Sequence, residues 1–388
     1  MIAQKFWNET HRRDLLDFYV AAVKTRSYSD QEGELAQKLL AKMKELGYDE
    51  AYVDAAGNVC GRVGRGGRVI HFDSHMDTVL AENADEWKHP PFAGEIEDGM
   101  LYGRGAVDMK GGLTASICAA GAAKKLGLLE GKTVWVTGSV CEEYCDGVCL
   151  EHFYRDSGVR PDFCVICEPS DNVITLGHTG KVQARLVTHG VSAHGSAPER
   201  GVNAVYEMAE IIQRVEALNA KLRENGGGTI VLSHISCQTA SLNAVPDRCE
   251  IYLDRRLRLG ETTAQVATEL AALAAGKRAS VEPGTLIHTS WNGARLVYRP
   301  EHDPWKIDEG HPLTLACNAA YERTFGEAPA RYDFWDFGTN AVVPVAMGVP
   351  TIGFGPGKYK LAHMTDERCA LAKVEEACCF YIHLIETL

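Results

Sequence analysis

Apolar residues recur at helical spacing from Thr10 to about Lys24, and Ser29 followed by Glu32 reads as a capping box opening a second helix that runs to Gly47. The segment RVIHFDSHMDTV, from Arg68, begins as the near-continuous apolar run of a strand buried on both faces. Gly111 to Gly127 then predicts a helix, KTVWVTGSV from Lys132 a strand, Asp146 to Tyr154 a helix and DFCVICEP from Asp162 a strand. Alternation of this kind predicts an α/β fold with an open, mostly parallel sheet.

The rhythm changes after Gly180. KVQARLVTH alternates as a strand, Gly201 to Leu222 reads as a helix, and strands follow from Thr229 and over Arg248 to Leu257. A helix from Glu261 to Ala275 and a strand from Ser280 to Thr289 complete the order β-α-β-β-α-β, that of a ferredoxin-like α+β module. Pro312 to Phe325 and Ala370 to the end are again helical, and VPTIGFG from Val349 is strand-like. The expected organisation is therefore a catalytic domain over 1–180 and 293–388, interrupted by an inserted lid and dimerisation domain over 181–292.

Composition narrows the function. The 388 residues are 45% hydrophobic and 24% charged, close to the globular average, so disorder, collagen and coiled coil are excluded. Forty Lys and Arg against fifty-two Asp and Glu leave a net charge of −12, which argues against nucleic acid as a partner. No run is long enough for a membrane span, and MIAQKFWNETHRRDLL lacks the apolar core of a signal peptide, so a cytoplasmic protein is expected. The thirteen cysteines, including adjacent Cys378 and Cys379, read as reduced thiols.

In an open α/β sheet the site lies beyond the carboxyl ends of the strands, and the acidic and imidazole groups concentrate there. His71, Asp73, His75 and Asp77 share one parity along the strand from Arg68, and only the outer pair can escape the sheet. Asp108 stands in the glycine-rich turn Gly103-Arg104-Gly105-Ala106-Val107-Asp108-Met109-Lys110-Gly111-Gly112. Glu142 and Glu143 follow one strand, and Glu168-Pro169 follows the next. Like charges crowded on one rim repel unless a cation sits among them. Imidazole and carboxylate without thiolate fit zinc, cobalt or manganese in a hydrolytic site, where an Asp with two free oxygens can bridge two ions. A four-thiolate site from Cys141, Cys145, Cys164 and Cys167 would instead make a metal or redox protein without hydrolysis. However, strand ends that aim Glu142 and Glu168 at a metal aim Cys141 and Cys167 away from it.

His75-Met76-Asp77, the Gly105-to-Gly112 segment, Glu142-Glu143, Glu168-Pro169 and His363 together resemble the signature of the zinc-dependent aminoacylase, acetylornithine deacetylase, succinyl-diaminopimelate desuccinylase and carboxypeptidase G family. The run HGSAPERG from His194 is similar to a selenium-metabolism-linked branch of it. The resemblance implies two divalent ions, zinc with cobalt or manganese as alternatives: His75 and Glu168 on one, Glu143 and His363 on the other, Asp108 between them. It implies a cis peptide after Asp108, Asp77 holding the His75 imidazole, and Glu142 as general base for hydrolysis of an amide. His194, within Gly190-Val191-Ser192-Ala193-His194-Gly195-Ser196, would serve the partner's site in a homodimer and donate to the oxyanion. Asn243, Arg256, Thr339, Asn340 and Gly355 would bind substrate, with Arg255 and Arg258 competing for the place of Arg256. The implied substrate is a small N-acyl amino acid, with a short peptide cut by a dipeptidase, aminopeptidase or carboxypeptidase as the alternative.

Overall fold

The computed structural model describes residues 8–388; Met1 to Trp7, part of the stretch read as lacking a signal peptide, lie outside the described residues. Helices α1 (Glu9–Lys24) and α2 (Gly33–Glu45) precede strands β1 (Glu50–Val53), β2 (Val59–Gly64) and β3 (Arg68–His75). Asn8 caps α1 by accepting from the N–H groups of Thr10 and His11. The expected capping box on α2 is absent: Ser29 donates instead to the Asp77 carboxylate and Glu32 accepts from Cys141 N–H. Tertiary partners have displaced a local one.

Strands β4 (Glu95–Glu97) and β5 (Met100–Tyr102) lead into α3 (Lys110–Lys125), then β6 (Lys132–Ser139), α4 (Val148–Ser157), β7 (Phe163–Ile166) and β8 (Thr175–His178). Helix α4 starts two residues later than its sequence pattern predicts, because Asp146 is held in an ion pair with Lys181. The second module runs through β9 (Gly180–His189), α5 (Ala204–Glu224), β10 (Thr229–Gln238), β11 (Arg248–Leu257), α6 (Thr263–Ala274) and β12 (Ala279–Pro283). The predicted strand over 280–289 is broken. Its second half is β13 (Leu286–Thr289), which leaves β9 to pair with β14 (Arg295–Tyr298), and Trp291 at their turn donates to Gly57 O. The chain closes with β15 (Glu301–His302), β16 (Trp305–Lys306), α7 (Pro312–Phe325), β17 (Asp333–Trp335), α8 (Val342–Ala346), β18 (Thr351–Gly353), β19 (Arg368–Ala370) and α9 (Leu371–Thr387).

The larger sheet has the order β1-β2-β6-β3-β7-β18-β8-β16, with β17 beside β8. Its centre is parallel, since β3 runs with β6 and β7, and β18 with β7. Helices α3 and α9 pack against each other over one main core built from Leu113, Ile117, Phe72, Phe354 and Phe380 among others. The smaller sheet, β10-β11-β9-β12, has the ferredoxin-like order and its own core around Leu186, Ile211, Ile251 and Leu270. Among the described residues no helix is long and apolar enough to cross a membrane.

Candidate metal centre and active site

Parallel pairing sets His75 beside Ser139 and Asp73 beside Ile166, so β3, β6 and β7 end together and deliver His75, Glu142-Glu143 and Glu168 to one rim. Asp73 and His71, one and two steps back, stay inside. His71 lies 2.6 Å from the Tyr154 hydroxyl and 2.9 Å from that of Thr137, and Asp73 accepts from Thr137, Ser139 and Asn340. The β5–α3 loop adds Asp108, followed by a cis peptide bond to Met109. Helix α3 can approach this rim only because residue 112 is glycine: a Cβ there would lie 2.1 Å from the carbonyl oxygen of Cys167.

Asp108 uses its two oxygens on two different imidazoles. Its Oδ1 lies 2.9 Å from His75 Nε2, and its Oδ2 lies 3.2 Å from His363 Nε2. A second carboxylate approaches the same Nε2 of each ring: Glu168 at 3.5 Å from His75 and Glu143 at 3.1 Å from His363. Donor atoms of His75, Asp108 and Glu143 lie within 4.8 Å of one another, as do those of His75, Glu142 and Glu168. These are two overlapping clusters of hard oxygen and imidazole ligands, a donor set that suits zinc or manganese, and neither contains a cysteine. Cys141, Cys145, Cys164 and Cys167 are all buried in the packing layer.

Electrostatics point the same way. Burial, reinforced by neighbouring carboxylates, pushes Glu142 and Glu168 well above the usual carboxylate range and Glu143 to about 7. His363, hydrogen-bonded to Asp108 and Glu143, is raised to about 10. Burial opposes the charged form of His75, but Glu168 and Asp108 outweigh it and raise its pKa as well. The cluster gathers positive charge wherever it can.

Asp77 lies beside His75, though by a different contact from the one expected. The imidazole Nδ1 donates to the Asp77 main-chain oxygen at 2.9 Å and stands 3.5 Å from the carboxylate. The carboxylate itself accepts from the N–H groups of Glu142 and Glu143, at 3.0 and 3.2 Å, and from Ser29 at 2.7 Å. It therefore orients the two glutamates.

The expected substrate-binding residues divide. Arg256 lines the cavity of about 300 Å³ that opens on Glu142, Glu143, Glu168 and His363. Arg255 points the other way and is spent on Glu261 and Glu269, while Arg258 reaches the carbonyl of Gly226. Asn340 is not a substrate-facing group. Its amide donates to Asp73 and Ser139 and its oxygen accepts from Gly147 N–H, which leaves it saturated in the interior. Thr339 is fully buried and accepts from Ala341 N–H, and Gly355 exchanges hydrogen bonds with Ser170. A Cβ on Gly355 would lie 2.3 Å from Cys167 O, so this glycine serves close packing rather than ligand contact. His194 and Asn243 sit together on the second module, exposed and outside the residues lining the cavity; His194 contacts Ser196.

Sequence reading missed the wall opposite the carboxylates. Lys181, paired with Asp146 at 2.5 Å, lines the cavity with Phe337 and Tyr359. Lys181 stands directly across from Arg256 in the β9–β11 register. That pairing was the available signal, and it is legible only once the strands are aligned.

The model of peptidase family M20/M25/M40 matches residues 71–387. Uncharacterized protein YgeY of Escherichia coli K12 is 38% identical over 366 residues, which cover 92% of this chain and 90% of that protein. Succinyl-diaminopimelate desuccinylase of Methylorubrum populi is 26% identical over 392 residues, 94% of this chain and 96% of the relative. Aminopeptidase PepT of Bacillus cereus shares the fold, with a TM-score of 0.73 at 21% identity over 97% of this chain and 98% of that one. Fold and site thus define a metal-binding hydrolase that acts on amide bonds. The chain belongs to peptidase family M20/M25/M40.

Proposed function

We propose that the protein is a two-zinc deacylase that removes a small acyl group from an N-acyl amino acid, working as a cytoplasmic homodimer. The observation that carries this reading is Asp108, whose two oxygens face the Nε2 atoms of two imidazoles, His75 and His363, each of which also meets a second carboxylate, Glu168 and Glu143. His75 and Glu168 would hold one ion, His363 and Glu143 the other, and Asp108 both; cobalt or manganese suits the same donors. When bound, the ions supply Lewis acidity to water and to the scissile carbonyl.

Glu142 takes the proton of the attacking water as its oxygen bonds to the amide carbon. The carbon–nitrogen bond then breaks, and Glu142 returns the proton to the departing amine, leaving a carboxylate and a free amino acid. Asp77 fixes Glu142 for this task through the main-chain N–H. Arg256, half-buried at the cavity wall with its Nε and Nη2 paired to Asp254 at 2.7 and 3.0 Å, exchanges that partner for the free α-carboxylate of the substrate, which a guanidinium fork also grips two-pronged. The module over 181–292 acts as lid and dimer contact and carries His194 and Asn243 to the partner's cavity. Their distance from their own cavity supports that reading.

The test is hydrolysis of N-acetyl, N-succinyl and N-formyl amino acids alongside dipeptides. Chelation should abolish activity and zinc, cobalt or manganese should restore it. Full activity in metal-free protein sinks the metal reading; hydrolysis confined to dipeptides moves the chain to the peptidase side of its family.

A further inference from the structure

A carboxylate outside the cavity holds the loop that carries Asp108. Glu367 is buried, and its Oε1 accepts the main-chain N–H groups of Val107 at 2.8 Å and Asp108 at 3.1 Å. Its Oε2 meets the Arg104 guanidinium at 2.6 Å, with both side chains at most 4% exposed. Its main-chain oxygen accepts from Gly103 N–H at 2.9 Å, just where β19 begins to pair with β5. Arg104 stands four residues before Asp108, and Glu367 four residues after His363. One buried ion pair therefore fastens the Asp108 loop to the His363 loop.

The two imidazoles depend on this fastening to different degrees. His75 is fixed by the pairing of β3 and by its bond to Asp77 O. His363 lies on a loop at φ 63°, half exposed, and among the described residues its imidazole is held by Asp108 and Glu143. We propose that the Arg104–Glu367 pair is a positioning device for one ion of the two: it sets the Asp108–His363 spacing and thereby the affinity of the His363–Glu143 site. The inference rests on the two-ion reading above.

The experiment is a zinc titration against a chromophoric chelator, which resolves two successive affinities, with near-ultraviolet circular dichroism as the check on folding. In Glu367→Gln one affinity should fall 10- to 100-fold, the usual cost of removing a group that orients a ligand, while the other changes by no more than a few-fold. Glu367→Gln leaves Arg104 as an unpaired buried charge. If that unfolds the protein, Arg104→Gln/Glu367→Gln removes both charges and carries the same expectation. A folded variant that binds both ions as tightly as the wild type overturns the inference. So does equal weakening of both sites, or an unfolded double variant, since the pair is then structural. A wild type that takes up only one ion, or none, overturns the two-ion reading itself and this inference with it.

Discussion

Glu142 and Glu143 are chemically identical neighbours whose surroundings give them different work. Glu143 meets His363, whereas Glu142 lies against His75 and Glu168 with its main chain held by Asp77. Glu142→Ala should lower turnover by about 10²–10⁴-fold with metal content near that of the wild type, because a general base contributes on that order and, although Glu142 lies among the donors around His75, the proposed assignment gives it neither ion. Glu143→Ala should lose metal, and elemental analysis of the two variants showing the reverse would exchange the assignments. Asn340 makes the opposite kind of prediction. Asn340→Ala leaves the Asp73 carboxylate and Gly147 N–H each short of a partner in the interior, at a cost of about 1–3 kcal/mol per unsatisfied group. Urea unfolding should show the loss while KM stays unchanged; a raised KM at wild-type stability would return Asn340 to the substrate.

Within a strand, alternation decides which of two adjacent arginines can act. On β11, Arg256 faces the cavity and Arg255 the helix side, so Arg256→Ala should raise KM strongly for substrates with a free α-carboxylate and much less for their amides. Equal effects on both substrate forms would remove it from carboxylate binding. On β3, His71 has the parity of His75 but lies in mid-strand between β6 and β7 and stays inside, where burial lowers its pKa from 6.5 to about 3. The folded state thus holds His71 neutral while the unfolded chain takes up a proton. Its contribution to stability is complete above 6.5 and is lost as pH falls from there toward 3. Thermal midpoints of the metal-loaded protein between about pH 7 and about pH 5 should fall less steeply in His71→Gln than in the wild type; parallel slopes would place the acid sensitivity elsewhere.

At the scale of the whole molecule the question is whether one chain completes its own site. His194 and Asn243 share a face of the second module and stay out of their own cavity. If His194 serves a two-fold partner, His194→Ala and Glu142→Ala should each be nearly inactive. Mixed and refolded together at equal amounts, they should recover about a quarter of wild-type activity, since half the dimers are mixed and each of those has one intact site. No recovery in a mixture shown to exchange subunits would make His194 a residue of its own chain.

Much of the candidate site, as a set of residues brought together at one rim, was legible from the chain alone. Glycine turns, apolar runs and acidic residues placed just past strand ends are short-range signals, and position along β3, of which only the carboxyl end leaves the sheet, already separated His75 and Asp77 from His71 and Asp73. The fold class and the order of the second module were legible for the same reason. What the tertiary structure decided depends on partners far apart in sequence. Ser29 bonds Asp77 instead of capping a helix, Asn340 fills the amide needs of Asp73 across 267 residues, and Lys181 meets Arg256 only through strand register. A buried polar group must be satisfied by whatever packs against it. That partner is chosen by long-range packing, which leaves no local pattern to read.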